Sequence, residues 1–197
     1  METAIQHQLG VIDAIRQRRA VRNYMEENPG DSCIRGLLEA AVRAPTAMHL
    51  EPWAFVVIQD RALLKRYSDR AKTMVLDEHR QGKDARLSSY LGMLRDPAYN
   101  IFYDAGTLIV ICRKSNAPFA DADCWLAAEN LMLAAVDGGL GTCCIGFALP
   151  VLNAPDVRRD LGVPEEGAAV APILLGRVRG TVAAVSRRPP EILRWVR

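Results

Sequence analysis

Asp121-Ala-Asp-Cys-Trp-Leu-Ala-Ala-Glu-Asn-Leu-Met-Leu-Ala-Ala-Val-Asp137-Gly-Gly-Leu-Gly-Thr-Cys-Cys-Ile-Gly146 runs from a strongly apolar segment into a cluster of glycines. Up to Asp137 its spacing is helical, and Trp125, Leu126, Ala128, Leu131, Met132, Leu133 and Ala135 nearly encircle the helix. Such a helix belongs in a core or a subunit interface. Gly138-Gly139 supplies a C-cap. The glycines that follow begin like a dinucleotide-binding fingerprint, but Cys144 stands where its final glycine belongs. The cluster also follows a helix instead of opening one, which excludes a Rossmann fold. What remains is a glycine-rich turn whose backbone can approach a ligand closely, or a plain helix cap.

On either side lie shorter elements. Val11, Ile12 and Ile15 mark an amphipathic helix within Leu9 to Arg19. Asp31 and Ser32 offer N-caps for a second helix, with Ile34, Leu37, Leu38, Ala41 and Val42 on one face. It should stop at Ala44, because Pro45 drives its predecessor out of the α region. Trp53 to Gln59 and Leu108 to Cys112 read as strands, the second apolar throughout and so covered on both faces. Arg61 to about Lys83 is helical in composition, with a polar second half that suggests a mobile excursion. A short helix near Asp156 to Leu161 precedes a strand over Ala169 to Leu175. The pattern predicts a helix-rich α+β or α/β chain of one domain, residues 1–197, around a small central sheet.

Composition narrows the function. The chain has 197 residues, 50% hydrophobic and 24% charged, which is globular rather than disordered. Its 25 Lys and Arg nearly balance 23 Asp and Glu, leaving +2 and no case for a dedicated nucleic-acid binder. Runs such as Thr107 to Cys112 fall far short of the ~20 residues of a membrane span. Met1 to His7 lacks a signal-peptide pattern, so a cytoplasmic protein is expected. The five cysteines are odd in number and without a Cys-x-x-Cys pair. They read as reduced, mostly buried thiols and not as a metal site, with a redox role for Cys143 and Cys144 as the alternative.

Four clusters carry chemistry. Arg16, Arg18, Arg19 and Arg22 fall within seven residues, where a helix gives way to extended chain. Guanidinium forks grip phosphate bidentately, although the same residues suit a solvated helix end. Ala44-Pro-Thr-Ala-Met-His-Leu-Glu-Pro-Trp53 is a proline-stiffened loop between helix and strand, able to meet a planar ligand or simply to connect. Its His49-x-Glu51 lacks the Pro-Cys-x-x-Cys of a zinc deaminase. The third cluster is the glycine segment above. The fourth is Ser186-Arg-Arg-Pro-Pro190 in a polar tail, and the apolar Ile192, Leu193 and Trp195 after it argue that this tail docks on something.

In this order the clusters resemble the FMN-dependent nitroreductase family. Arg18-Arg19-Ala20-Val21-Arg22 is similar to the family's Arg-Arg-Ser-Val-Arg. Ala44 to Trp53 follows Ala-Pro-Ser-x-x-Asn-x-Gln-Pro-Trp, and Phe102 to Gly106 before a strand resembles its Ala-Pro-strand segment. Gly139 to Gly146 follows Gly-Leu-Gly-Thr-Cys-x-Ile-Gly, and Arg187-Arg188-Pro189 the closing Arg-Lys-Pro. The resemblance implies an α+β, three-layer α/β/α sandwich with a mixed central sheet, assembled as an intertwined homodimer with FMN at the interface. Carried over, Arg18, Arg19, Ala20 and Arg22 would lie at the phosphate and ribityl end, with Arg187 and Arg188 closing on the phosphate. Pro45, Thr46, Ala47 and His49 would come from the opposite subunit. Gly141, Thr142, Cys143, Ile145 and Gly146 would lie near the flavin ring.

The family's reaction is ping-pong. NAD(P)H would reduce the flavin and a small conjugated acceptor, a nitroaromatic or quinone, would reoxidise it, with no protein side chain as catalytic nucleophile. The alternatives are another reduced-flavin reaction, such as dehalogenation, and a flavin-binding module without turnover. A substrate lid is expected over 72–99. Ala20 replaces a phosphate-binding serine, His49 and Glu51 replace Asn and Gln, and Gly106 replaces a proline. His49 introduces a group that titrates near neutrality beside the expected ring.

Overall fold

The computed structural model describes residues 9–80 and 85–197. The reading of Met1 to His7 lies outside these residues, and the lid expected over 72–99 falls partly outside them.

Four strands build one sheet in the order β1-β2-β4-β3: β1 is Trp53–Ile58, β2 Thr107–Arg113, β3 Leu140–Cys144 and β4 Ala168–Arg177. Every ladder between them is antiparallel, with Trp53 opposite Arg113, Thr107 opposite Leu175 and Thr142 opposite Leu175 on the other side. Among the described residues, parallel pairing, which the mixed sheet of the resemblance calls for, is confined to a single bridge between Ala20 and Thr142.

Alternation along the strands divides the core in two. Leu108, Val110, Cys112 and Leu174 face helix α3 (Arg61–Arg80), α4 (Leu91–Arg95), α6 (Leu149–Leu152) and α7 (Pro155–Asp160). Ile109, Ile111, Ile173 and Leu175 face α2 (Asp31–Ala41) and α5 (Ala120–Asp137). Both faces of the sheet are therefore buried under helices, which makes three layers. The remaining helix, α1 (Val11–Gln17), lies against α5 and leaves Val11, Ile12 and Ile15 exposed.

Helix α2 stops at Ala41, three residues before the expected end. Its last turn tightens through Arg43 N–H to Ala40 O and Ala44 N–H to Ala41 O, each 3.1 Å, so the chain is already turning when it meets Pro45. Helix α3 stays regular to Arg80 instead of loosening in its polar second half. Residues 140–144, read as a turn, form the edge strand β3. Gly141 is required there, because a Cβ would stand 2.6 Å from a Val21 methyl. Helix α5 buries Ala127, Ala128, Leu131, Met132 and Ala135 but leaves Trp125 and Leu126 exposed.

Candidate functional site

The arginine segment begins as α1 ends. Arg18, half-buried at the C-cap, holds its Nε 3.2 Å from Glu129 Oε1 on α5. Arg19 folds back, its Nη1 donating to Arg16 O at 2.6 Å and Arg18 O at 2.7 Å, so it caps carbonyls at the end of its own helix. The chain then runs extended beside β3, where Val21 N–H donates to Thr142 O at 2.9 Å. Val21 and Tyr24 turn inward and Arg22 outward. Arg22 has no acidic partner among the described residues. Its guanidinium carbon stands 5.9 Å from the centre of the Tyr103 ring.

Tyr103 belongs to a tightly held turn. Tyr103 and Asp104 have φ of 51° and 55°, left-handed values rare outside glycine. Tyr99 Oη donates to Tyr103 Oη at 3.1 Å and the two rings meet edge to face. Behind them Lys72, buried on α3, gives its ammonium to Tyr99 O at 2.7 Å and Asp96 O at 3.2 Å. Beside Arg22, a cleft of about 600 Å³ is lined by Asn23, Tyr24, Glu26, Arg61, Tyr103 and Arg179. Arg61 ties its walls together by donating to Asp104 O, Glu26 O and Asn28 Oδ1. A Cβ on Gly106 would fall 1.6 Å from that Asn28 oxygen, so glycine in place of the family's proline makes room for this tie.

The glycine segment turns most of its side chains inward. Thr142, Cys143 and Ile145 are buried, and Cys144 and Gly146 are exposed. Burial pushes the Cys143 thiol up, against the pull of Arg22, which keeps it from acting as a thiolate. Adjacent residues of a strand point to opposite faces, so Cys143 and Cys144 diverge. The Thr142 hydroxyl is buried without a hydrogen-bond partner among the described residues.

The proline-stiffened loop lies elsewhere. Three spacings across the sheet and seven residues along β4 separate Trp53 from Thr142, roughly 25 Å. Met48, His49 and Glu51 all take positive φ (54°, 53° and 43°), which makes this a strained loop. It is pinned from α5, because Ala47 N–H donates to both oxygens of Asp123, at 3.2 and 3.1 Å, and that carboxylate is only 4% exposed. Pro45 and His49 are exposed, Thr46 and Ala47 half-buried. Arg187 and Arg188 lie on an arm that is exposed at every residue from Arg179 onward. One chain thus brings the arginine segment to the glycine segment, and neither to the second loop.

Asp123, Lys72, Tyr99 and Tyr103 were not among the expected site residues. A signal existed for two of them: Asp123 stands on the buried stripe of α5 with Ala127 and Leu131, and Lys72 on that of α3 with Leu64 and Ser68. A charge on an apolar stripe marks a group with a buried partner.

Residues 15–177 match the model of the nitroreductase family. The chain belongs to that family. Its relatives include a putative NADH dehydrogenase/NAD(P)H nitroreductase of Methanothermobacter thermautotrophicus, 26% identical over 172 residues, covering 85% of this chain and 77% of the relative. An iodotyrosine deiodinase of Thermotoga neapolitana is 28% identical over 134 residues, 66% of this chain and 70% of that one. Among solved structures, a nitroreductase with bound FMN from Bacteroides fragilis is similar with a TM-score of 0.80 and 26% identity, covering 96% of this chain and all of that one. No helix among the described residues is long and apolar enough to cross a membrane.

Proposed function

We propose that this chain is an FMN-dependent oxidoreductase, one flavin-binding domain that works as a homodimer, takes electrons from NAD(P)H and passes them to a small conjugated acceptor such as a nitroaromatic or quinone. The observation that carries this reading is Arg22, a guanidinium without an acidic partner among the described residues, four residues beyond Arg18 on the extended segment, in a fold shared with an FMN-bound nitroreductase. Such a donor set fits a phosphate dianion. When bound, FMN would supply the two-electron relay between donor and acceptor.

The chain's own residues divide the remaining work. Arg18 and Arg22 would hold the phosphate end, while Arg19 fixes the close of α1 and with it the path of Ala20 to Arg22. Gly141, Thr142, Cys143, Ile145 and Gly146 would line the ring through their backbone. Pro45, Thr46, Ala47 and His49 would be supplied by a second copy, since in their own chain they lie on the far edge of the sheet. The same copy would cover Ile12, Ile15, Trp125 and Leu126. The arm leaves Ile192, Leu193, Trp195 and Val196 exposed, and gripping the partner would bring Arg187 and Arg188 to the phosphate. Water is then excluded from the ring by the partner.

Anaerobic titration of the flavin-loaded protein with NADH and NADPH tests the reading, and bleaching of the flavin band is the expected result. Arg22→Ala and Arg187→Ala should each weaken FMN binding about 10- to 100-fold, the cost of a lost charged hydrogen bond. Sedimentation should give twice the chain mass. Protein that ignores added FMN, or flavin affinity unchanged in both variants, would refute the assignment. The deiodinase relative favours one second reading, reductive dehalogenation. Reoxidation of the reduced protein by a halophenol and not by a nitroaromatic would select it.

A further inference from the structure

The loop between α2 and β1 is held in a costly shape and left in solvent. Met48, His49 and Glu51 sit at φ of 54°, 53° and 43°, values that residues with a Cβ rarely adopt. All three are exposed, and so is Leu50. Leu50 N–H donates to Ala47 O at 3.2 Å, a bond inside the loop, and Pro52 O accepts Lys114 N–H at 2.7 Å where the chain enters β1. Ahead of that point, among the described residues, the hydrogen-bond tie from the loop to another element is Asp123 on α5. Ala47 N–H donates to both of its oxygens, at 3.2 and 3.1 Å, and the carboxylate is 4% exposed. Burying a carboxylate is costly, and left-handed strain persists where it serves a site. A buried charge clamping an exposed, strained loop therefore points to a function for the loop. The glycine segment of the same chain is not its target, because the width of the sheet lies between them. Just beyond Asp123, Trp125 and Leu126 are exposed as well, so this corner of the molecule presents a surface for a second copy.

We infer that Asp123 is a positioning residue that acts across the dimer: by clamping Ala47 it sets the loop that completes the flavin site built on the partner's arginine and glycine segments. This rests on the homodimer and FMN reading above. The carboxylate, buried against its own loop, acts through the Ala47 amide and not by contact with the cofactor.

The test is titration of the full-length apoprotein with FMN. Asp123→Ala should weaken binding about ten- to thirtyfold, the factor by which loss of a charged hydrogen bond depopulates the competent loop. Asp123→Asn keeps an acceptor for the same N–H and should lose about fivefold. Thermal melting and sedimentation check that both variants fold and pair. The decisive sample is a mixed dimer, made by co-expressing Asp123→Ala and Arg18→Ala chains under two tags and purifying through both. One flavin site then joins the intact arginine segment of the first chain to the intact loop of the second, and the other site carries both faults. The mixed dimer should bind half as much FMN as the wild type at an affinity within about twofold of it, although both parent homodimers bind weakly. Should the alanine chain melt below the working temperature, the asparagine chain replaces it with the same outcomes. A mixed dimer without a site of wild-type affinity would confine Asp123 to its own chain's site or to a structural role, and would overturn the inference. Unchanged FMN affinity in Asp123→Ala would do the same. If Arg18→Ala binds weakly and the mixed dimer recovers nothing, this inference alone fails. If Arg18→Ala leaves FMN affinity intact, or the wild type sediments as a monomer, the reading of the site fails and takes the inference with it.

Discussion

Replacing Asp123 by alanine should loosen the second motif loop while leaving the sheet intact. The carboxylate is 4% exposed and accepts Ala47 N–H with both oxygens. A hydrogen bond to a buried charged acceptor contributes about 1.5–3 kcal/mol, and the first turn of α5 adds a few tenths through the helix dipole. Against this stands the strain at Met48, His49 and Glu51, each about 1–2 kcal/mol in the left-handed region. Taking about 2 kcal/mol for the loss, the melting temperature should fall by about 4–8 °C for a chain of this size. Asp123→Asn keeps an oxygen that can accept the same N–H and should cost about half as much. The sharper assay is native-state hydrogen exchange at Ala47, whose amide should exchange about thirtyfold faster in the alanine variant. Amides of β2 should be unaffected. An unchanged Ala47 rate in Asp123→Ala would show that the carboxylate does not hold the loop, and an Asn variant as weak as Ala would show that more than one hydrogen bond is lost.

Three further outcomes follow from single features. Gly106→Ala should cost about 1–3 kcal/mol, because its Cβ must displace Asn28 from 1.6 Å, and Asn28→Ala in the same chain should recover most of it; a wild-type denaturation midpoint in Gly106→Ala would refute this. Thr142→Val removes a buried hydroxyl that has no partner among the described residues, so it should be neutral or stabilising by up to about 2 kcal/mol in chemical denaturation, and a loss above about 1 kcal/mol would reveal a partner. Hydrogen bonds from Arg70 hold the exposed Asp156 carboxyl down from 3.8 to about 2. A depressed carboxylate stabilises fully above its unfolded value and loses that contribution as pH falls through its folded one. The difference in melting temperature between the wild type and Asp156→Asn should therefore be constant above about pH 5, shrink to a small fraction by about pH 2 and vanish below it; an undiminished difference at pH 2 would contradict the pairing.

Most of the architecture was legible because its signals are local. The continuous apolar run of Leu108 to Cys112 and the stripe Ile34, Leu37, Ala41 depend on neighbours a few residues away, and a strand and a helix form over them. Strand β3 was hidden, since it is short and its Gly141 carries no β propensity. It forms because β4 and the Val21 segment offer hydrogen bonds and space that only a glycine at 141 can fill. The end of α2 was misplaced by three residues because tightened i→i−3 bonds end it before Pro45 acts.

By itself the sequence determined the kinds of element, the two-sided burial of the central strand, the order of the family motifs and a surplus of guanidinium near residue 20. These follow from periodicity, proline and glycine stereochemistry and charge, which act over a few residues. Only the tertiary structure decided which arginine is available. Arg19 turns back on its helix, Arg18 meets Glu129 and Arg22 is left on an aromatic ring. It also separated the second loop from the rest of the motifs by the width of a sheet, and it gave Asp123 a partner 76 residues away and Lys72, beside its local Asp69, a carbonyl 27 residues away. A buried charge takes whatever acceptor or donor the packed fold brings within 3 Å or so, and no local pattern states which one that will be.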